Sequence, residues 1–315
     1  MKSILAEAIN WLDGSRYGKT YKDKIVLFLY IVNALIVIIF IASVFGTSKV
    51  IDVYFKRTYL LNWVPVKSVL IRRYGILLSL PIILDYIILV KPDWEEKEIR
   101  FVTELDLNHE NTTIIDAGAN IGIYTILFSH LFPKSKIISI EASPVIFDKL
   151  QLNCKLNNLH TAGYNLFLIN KAVSDKDGME TEFYESHSMS TICKEFLTSI
   201  SNSIIINDEG LSKNIVRTVT IDSLVEIHNI DKISLLKMDI EGSEVSALKG
   251  AVNTLNKKMI KNLLIEYHSS ENYDYTVRLL GELGYKVTNS QERYSIKRSD
   301  EINFVNGHIM ATLED

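Results

Sequence analysis

Thr112-Thr-Ile-Ile-Asp-Ala-Gly-Ala-Asn-Ile-Gly122 is the stretch that decides the fold. Thr112 to Asp116 reads as a short apolar strand, and Ile121 to Leu131 as the helix that follows it. Between them, Gly118 can take backbone angles closed to other residues, so the chain turns tightly. Gly122 allows close approach of helix and ligand, and the helix start offers unpaired N–H groups. In a G-x-G-x-x-G turn these groups hold a pyrophosphate. Here the order is Gly-Ala-Asn-Ile-Gly, without the middle glycine. That weakens the pyrophosphate reading and suits a nucleoside cofactor without phosphates. Asp116, Gly118, Asn120 and Gly122 are the cofactor-binding candidates of this loop.

Working outward, Lys136 to Glu141 reads as the next strand and Pro144 to Asn158 as a helix with proline in its first turn. Glu141 ends its strand about 20 residues beyond Gly122, where a carboxylate accepts hydrogen bonds from ribose hydroxyls. Tyr164 to Val173 reads as a third strand, with Asn170 and Ala172 at its end expected to border an adenine. Strands follow at Ile233–Asp239 and Asn262–His268, with a single helix at Glu244–Asn256 between them, capped by Ser243. A helix near 273–283 and strands at 285–289 and 307–313 complete the series. Apolar strands alternating with amphipathic helices predict a parallel sheet covered on both faces. The stretch 174–221 interrupts the rhythm, with strand-like pieces at Met179–Tyr184 and Ile215–Thr220, and reads as an insertion that shapes a pocket or lid.

Six segments together resemble the FkbM family of methyltransferases: IIDAGANIGIYT (114–125), IEASP (140–144), KAVSD (171–175), TIDSL (220–224), LKMDIEGSEVSALKGA (236–251) and IEYH (265–268). Their order and spacing match as well as the words, from about residue 65 to the end. The resemblance implies a class I, Rossmann-like methyltransferase fold, an α/β architecture whose seven-stranded, mostly parallel sheet has helices on both faces and an antiparallel last strand. It also implies S-adenosyl-L-methionine as cofactor and transfer of a methyl group to oxygen, often a hydroxyl of a sugar or secondary metabolite. Fold and family leave the acceptor open.

Asp239, Glu241 and His268 fall at or just past the carboxyl ends of adjacent strands, where open α/β sheets bind ligands. Methyl transfer to a hydroxyl needs alignment of the reacting atoms and removal of one proton. His268 is the first choice for the base, because its reference pKa lies nearest neutrality. Asp239 is the second choice, or orients the acceptor. Glu241 and Glu266 are placed to hold sugar hydroxyls, and Lys237 to pair with a carboxylate, with Lys237, Asp239 and Glu241 on one side if the strand runs that far. The same cluster has the chemistry of a divalent-metal site, an alternative that is not favoured. Asp-Ile-Glu-Gly stands where an N-methyltransferase often carries Asn-Pro-Pro-Tyr, which argues for oxygen over nitrogen.

Ahead of this domain, Ile25–Phe45 reads IVLFLYIVNALIVIIFIASVF, without a charge. At ~1.5 Å per residue it spans about 30 Å, the thickness of a bilayer core. The expected organisation is an N-terminal segment (1–24), a transmembrane helix (25–45), a linker with strands and a helix (46–111) and the catalytic domain (112–315). Residues 66–90 read as strands, and Asp93 as the cap of a helix of about a dozen residues. Basic residues flank the apolar run on both sides, so charge leans only slightly toward a cytoplasmic N-terminus. A cytosolic cofactor instead places the catalytic domain in the cytoplasm, on a single-pass membrane protein. A net charge of -4 gives no sign of a nucleic-acid binder. Cys154 and Cys193 lack metal-site spacing and read as free thiols. The expected enzyme acts at the membrane on a glycan or lipid-linked sugar; the alternatives are the same enzyme on a soluble small molecule, a membrane-tethered module that keeps the fold without chemistry, and a nicotinamide oxidoreductase, against which the missing glycine counts.

Overall fold

The computed structural model describes residues 68–71, 76–79, 95–107, 112–159, 165–185, 190–191, 212–290 and 307–314. The chain divides into two units, Met1–Trp94 and Glu95–Asp315. In the first, β1 (Ser68–Ile71) and β2 (Ile76–Ser79) form an antiparallel pair. Among the described residues no helix is long and apolar enough to cross a membrane. The run 25–45, expected to do so, lies outside them.

The second unit opens with α1 (Glu96–Glu104). Its N-cap position is Glu95, in left-handed conformation at φ 45°, and Asp93, the expected cap, lies outside the described residues. The sheet uses β3 (Thr113–Ala117), β4 (Lys136–Ile140), β5 (Asn165–Ile169), β10 (Leu235–Met238), β11 (Asn262–Tyr267), β12 (Tyr285–Ser290) and β13 (Gly307–Leu313). Their order is β12-β13-β11-β10-β3-β4-β5. Pairing is parallel from β11 through β5, while β13 runs antiparallel to both its neighbours. This is the expected seven-stranded, mostly parallel sheet. The chain moves outward from β3 in one direction and then crosses back to β10, so the topology reverses between β3 and β10, where such sheets bind ligands.

The burial patterns explain the sequence. Every residue of β3 and β10 is buried, because both faces of a central parallel strand are covered. On β13 burial alternates over Gly307, Ile309 and Ala311. Against the sheet pack α2 (Ile123–Leu131), α3 (Pro144–Leu156), α4 (Ile221–Ile227), α5 (Glu244–Lys249), α6 (Val252–Asn256) and α7 (Ser270–Glu282). Ile115, Ile138, Leu236 and Ile265 form the middle of one core with Leu224, Leu248, Leu255 and Leu280 from the helices. Each such side chain contributes about 1.5–3 kcal/mol by leaving water.

Three expected elements differ. The helix at 244–256 is two helices, α5 and α6, broken at Gly250 and Ala251. The backbone there is crowded: a Cβ on Gly250 would lie 2.1 Å from the Ser174 carbonyl oxygen. The new helix end is capped from elsewhere, since the Asp222 carboxylate accepts the N–H groups of Asn253 and Thr254 at 3.0 and 2.9 Å. The strand at 164–173 is also two. After Ile169, Asn170 turns in to donate to the Glu141 carbonyl at 2.8 Å, and β6 (Ala172–Val173) joins a different sheet. That sheet has the order β6-β9-β7-β8, with β7 (Glu180–Glu185), β8 (Ser190–Thr191) and β9 (Ser212–Val219). All of it but β6 is built from the expected insertion, of which 186–189 and 192–211 lie outside the described residues. Finally, α7 starts at Ser270, earlier than expected, because the Ser269 hydroxyl accepts the Asn272 N–H at 3.1 Å.

Candidate active site

The loop after β3 is shaped by its backbone. Gly118 and Gly122 have φ of 76° and 94°. A Cβ at Gly118 would sit 1.7 Å from the Asp239 carbonyl oxygen, so only glycine lets the two strand ends pass. Asn120 is also left-handed, at φ 50°, and its side chain accepts the Ile121 N–H at 2.8 Å. Glu141 faces the same loop from the end of β4. Its two oxygens accept the N–H groups of Asn120 (2.9 Å) and Ser143 (2.8 Å). Burial pushes this carboxyl up to about 7 against those hydrogen bonds. Asn170 ties down the loop after β4, and Ala172 packs its methyl against Phe183 and Val216. The Ala172 side chain belongs to this small core.

Asp116 and Lys237 lie beneath this loop. The Asp116 side chain is wholly buried and accepts the Thr125 hydroxyl at 2.7 Å. Lys237 donates to the Gly118 carbonyl at 3.1 Å and stands 3.5 Å from Asp116 and 3.7 Å from Asp239. Burial works against its charge, but Asp116 and Asp239 outweigh that and keep the ammonium protonated. The expected pairing of Lys237 is present. Both residues support the loop from below, Lys237 through the Gly118 carbonyl and Asp116 through its ion pair with Lys237.

The other half of the site lies at the ends of β10 and β11. The strand alternation expected to carry Lys237, Asp239 and Glu241 does not reach the third residue, since β10 ends at Met238. Glu241 is placed by a turn in which it and Gly242 are both left-handed, at φ 53° and 94°. His268, just past β11, is buried. Its Nε2 lies 3.4 Å from Glu241, 3.7 Å from Asp239 and 3.7 Å from Glu266. Asp239, Glu241 and His268 are thus brought together as expected.

Glu244 is the residue that sequence reasoning missed. It is wholly buried, and its Oε1 lies 3.0 Å from His268 Nδ1. The same oxygen accepts the N–H groups of Ile240 (3.3 Å) and Gly242 (3.1 Å), and Oε2 accepts from Asn272 at 2.7 Å. Ser243, the expected cap of the helix, accepts no hydrogen bond there, and Glu244 serves the turn in its stead. A signal was present: Glu244 is the last acid of the Lys-x-Asp-x-Glu-Gly-x-Glu run. A carboxylate on Nδ1 fixes the orientation of the imidazole and leaves Nε2 toward Asp239, Glu241 and Glu266. The carboxylates hold the His268 proton well above the usual range despite burial, with Glu244 and then Glu241 the main contributors. In turn, burial and the neighbouring carboxylates push Glu241 up to about 8 and raise Asp239.

Residues 116–287, more than half the chain, match the Methyltransferase FkbM domain. Methyltransferase 1 of Beauveria bassiana is 27% identical over 187 residues, covering 56% of this chain and 74% of its own length. Hexuronic acid methyltransferase AglP of Haloferax volcanii is 26% identical over 208 residues, covering 65% of this chain and 77% of its own. A crystal structure of Methyltransferase FkbM from Methylobacillus flagellatus aligns with a TM-score of 0.43 at 17% identity, over 64% of this chain and 44% of the other. Strand order, glycine loop and domain match agree, and the chain belongs to the FkbM family of methyltransferases.

Proposed function

We propose that the protein is an S-adenosylmethionine-dependent O-methyltransferase acting on a hydroxyl of a sugar, glycan or lipid-linked saccharide. The observation that carries this is His268, which turns Nε2 toward Asp239 and Glu241 while Glu244 holds Nδ1. The loop fits the cofactor. Each Glu141 oxygen receives one backbone N–H and keeps a further lone pair for a ribose hydroxyl. Asn120 and Gly122 supply the turn around it. The bound cofactor supplies a methyl group on a positively charged sulfur.

His268 takes the acceptor's hydroxyl proton at Nε2, and Glu244 stabilises the imidazolium at Nδ1. The His268 proton is held less tightly when a positive charge stands nearby, so a filled site favours the basic form. Asp239 Oδ1 and Glu241 Oε2 are buried and find no hydrogen-bond partner among the described residues. Such acceptors are costly until donors complete them, and the adjacent hydroxyls of a saccharide are donors of that kind. The name of the Haloferax volcanii relative, a hexuronic acid methyltransferase, supports a sugar acceptor.

The uncharged run at 25–45 supports a single-pass anchor, and a cytosolic cofactor supports a catalytic domain in the cytoplasm, where it meets lipid-borne acceptors at high local concentration. The test is transfer of labelled methyl from S-adenosylmethionine to a panel of free and lipid-linked saccharides, with the methylated atom located by NMR. Label on a sugar oxygen, lost in His268→Ala, is the expected result. Label on nitrogen or carbon, or full turnover in His268→Ala, overturns the reading.

A further inference from the structure

We infer that Glu95, Glu266 and His308 form a binding site for one divalent cation beside the catalytic histidine. The three come from α1's cap position, β11 and β13, and each offers a ligand atom within 4.8 Å of the others. The fold dictates the meeting. Glu266 and His308 are directly opposite in the antiparallel β11–β13 register, so their side chains share a face. Glu95 comes from the start of α1, which packs beside β13.

Two of the ligands already have the outer support that metal ligands use. His308 turns Nδ1 to Glu98, 3.2 Å away, and points Nε2 at Glu266, 3.5 Å away. A carboxylate on the remote ring nitrogen is the usual orienting partner of a ligating imidazole. Glu95 is fixed by the Tyr124 hydroxyl, which donates to it. All three ligands are partly exposed, so an ion has a path in and keeps open positions for acceptor oxygens. One imidazole and two carboxylates suit a hard or borderline dication such as Mg²⁺ or Mn²⁺.

A second observation points the same way. Carboxylates outnumber the cationic groups around this site, and the nearby Asp239 Oδ1 and Glu241 Oε2, which face His268 at 3.7 and 3.4 Å, are buried atoms without a hydrogen-bond partner among the described residues. A dication at the Glu95 triad offsets that charge. His268 stays outside the coordination set and remains free to act as base. Glu266 is shared, with one oxygen toward each histidine, and so fixes the ion next to the reacting hydroxyl. The inference goes beyond the choice of base or acceptor and holds for either.

The test is Mn²⁺ binding to the full chain, read by electron paramagnetic resonance, with spin-echo detection of directly bound imidazole nitrogen. One Mn²⁺ per chain is expected, with one imidazole nitrogen signal that disappears in His308→Gln. Glu95→Gln weakens binding by at least roughly 100-fold, and Glu98→Gln, which removes only the outer partner, by roughly 10–100-fold. His268→Ala leaves one Mn²⁺ per chain and the imidazole nitrogen signal in place. The unfolding temperature and S-adenosylmethionine binding of each variant show that it is folded. No Mn²⁺ binding by the wild-type chain overturns the site. So does binding that survives His308→Gln and Glu95→Gln, and binding lost in His268→Ala, which would put the ion in the adjoining Asp239–Glu266–His268 group.

Discussion

The two halves of the site are built from different materials. Around Gly118 and Glu141 the chain uses backbone: positive φ angles, N–H groups and one carboxylate pinned by two of them. Around His268 it uses side chains, with carboxylates crowded about a buried imidazole. In the proposed function the first half recognises a constant cofactor, so its geometry can be frozen into a turn. The second, in the same proposal, moves a proton, so it needs groups whose charge can change. Substitutions should therefore separate the halves, with chemistry failing alone on one side and cofactor affinity failing alone on the other.

His268→Ala is the strongest such probe. Turnover is expected to fall about 10²–10⁴-fold, while S-adenosylmethionine affinity by titration calorimetry stays within about twofold. Equal loss of both would erase the distinction. Gly118→Ala should break the fold itself, since its methyl would meet the Asp239 carbonyl at a left-handed position. A loss of about 3 kcal/mol or more is expected in chemical unfolding, and a near-neutral result would mean that the turn has slack.

Smaller effects sharpen the contrast. Glu244→Gln keeps the shape but weakens the bond to His268. A charge-assisted hydrogen bond of about 1.5–3 kcal/mol corresponds to a roughly 10–100-fold drop in kcat, with cofactor affinity unchanged. Glu141→Gln should show the reverse split, a loss of about 10–100-fold in cofactor affinity with kcat kept at saturation. The least effect is in pH. The Glu141 carboxyl is raised from 4.5 to about 7, and ribose hydroxyls donate to its ionised form. Cofactor affinity of the wild-type chain should rise as pH climbs through about 7, and Glu141→Gln should flatten that rise. For the cofactor-free fold the sign is opposite. A raised carboxyl binds its proton more tightly when folded, so its stabilising contribution is full below about pH 4.5 and lost as pH passes about 7.

The same contrast decides what could be read from the sequence. The order of strands and helices was legible because each is local: a run of β-branched residues, a glycine, a cap. The glycine loop and Glu141 were legible for the same reason, being separated by one helix and one strand. His308 and Glu95 were not, because their meeting with Glu266 depends on the antiparallel register of β13 and on the packing of α1. Glu244 was hidden in plain view. In a first helical turn an acid is ordinarily a favourable charge at the dipole, and only its full burial reveals a partner. The break at Gly250 was obscured because the cap that permits it comes from Asp222, nearly thirty residues earlier.

The Gly118–Asp239 crossing has a kinetic consequence. With no clearance for even one methyl group, the glycine turn and the peptide that carries Asp239 are locked together. Perturbing Glu141 or His268 separates binding from rate, whereas perturbing the crossing cannot. A lesion there drags the Michaelis constant for the cofactor and the turnover number together, so a correlated loss of both is the signature of damage at this seam.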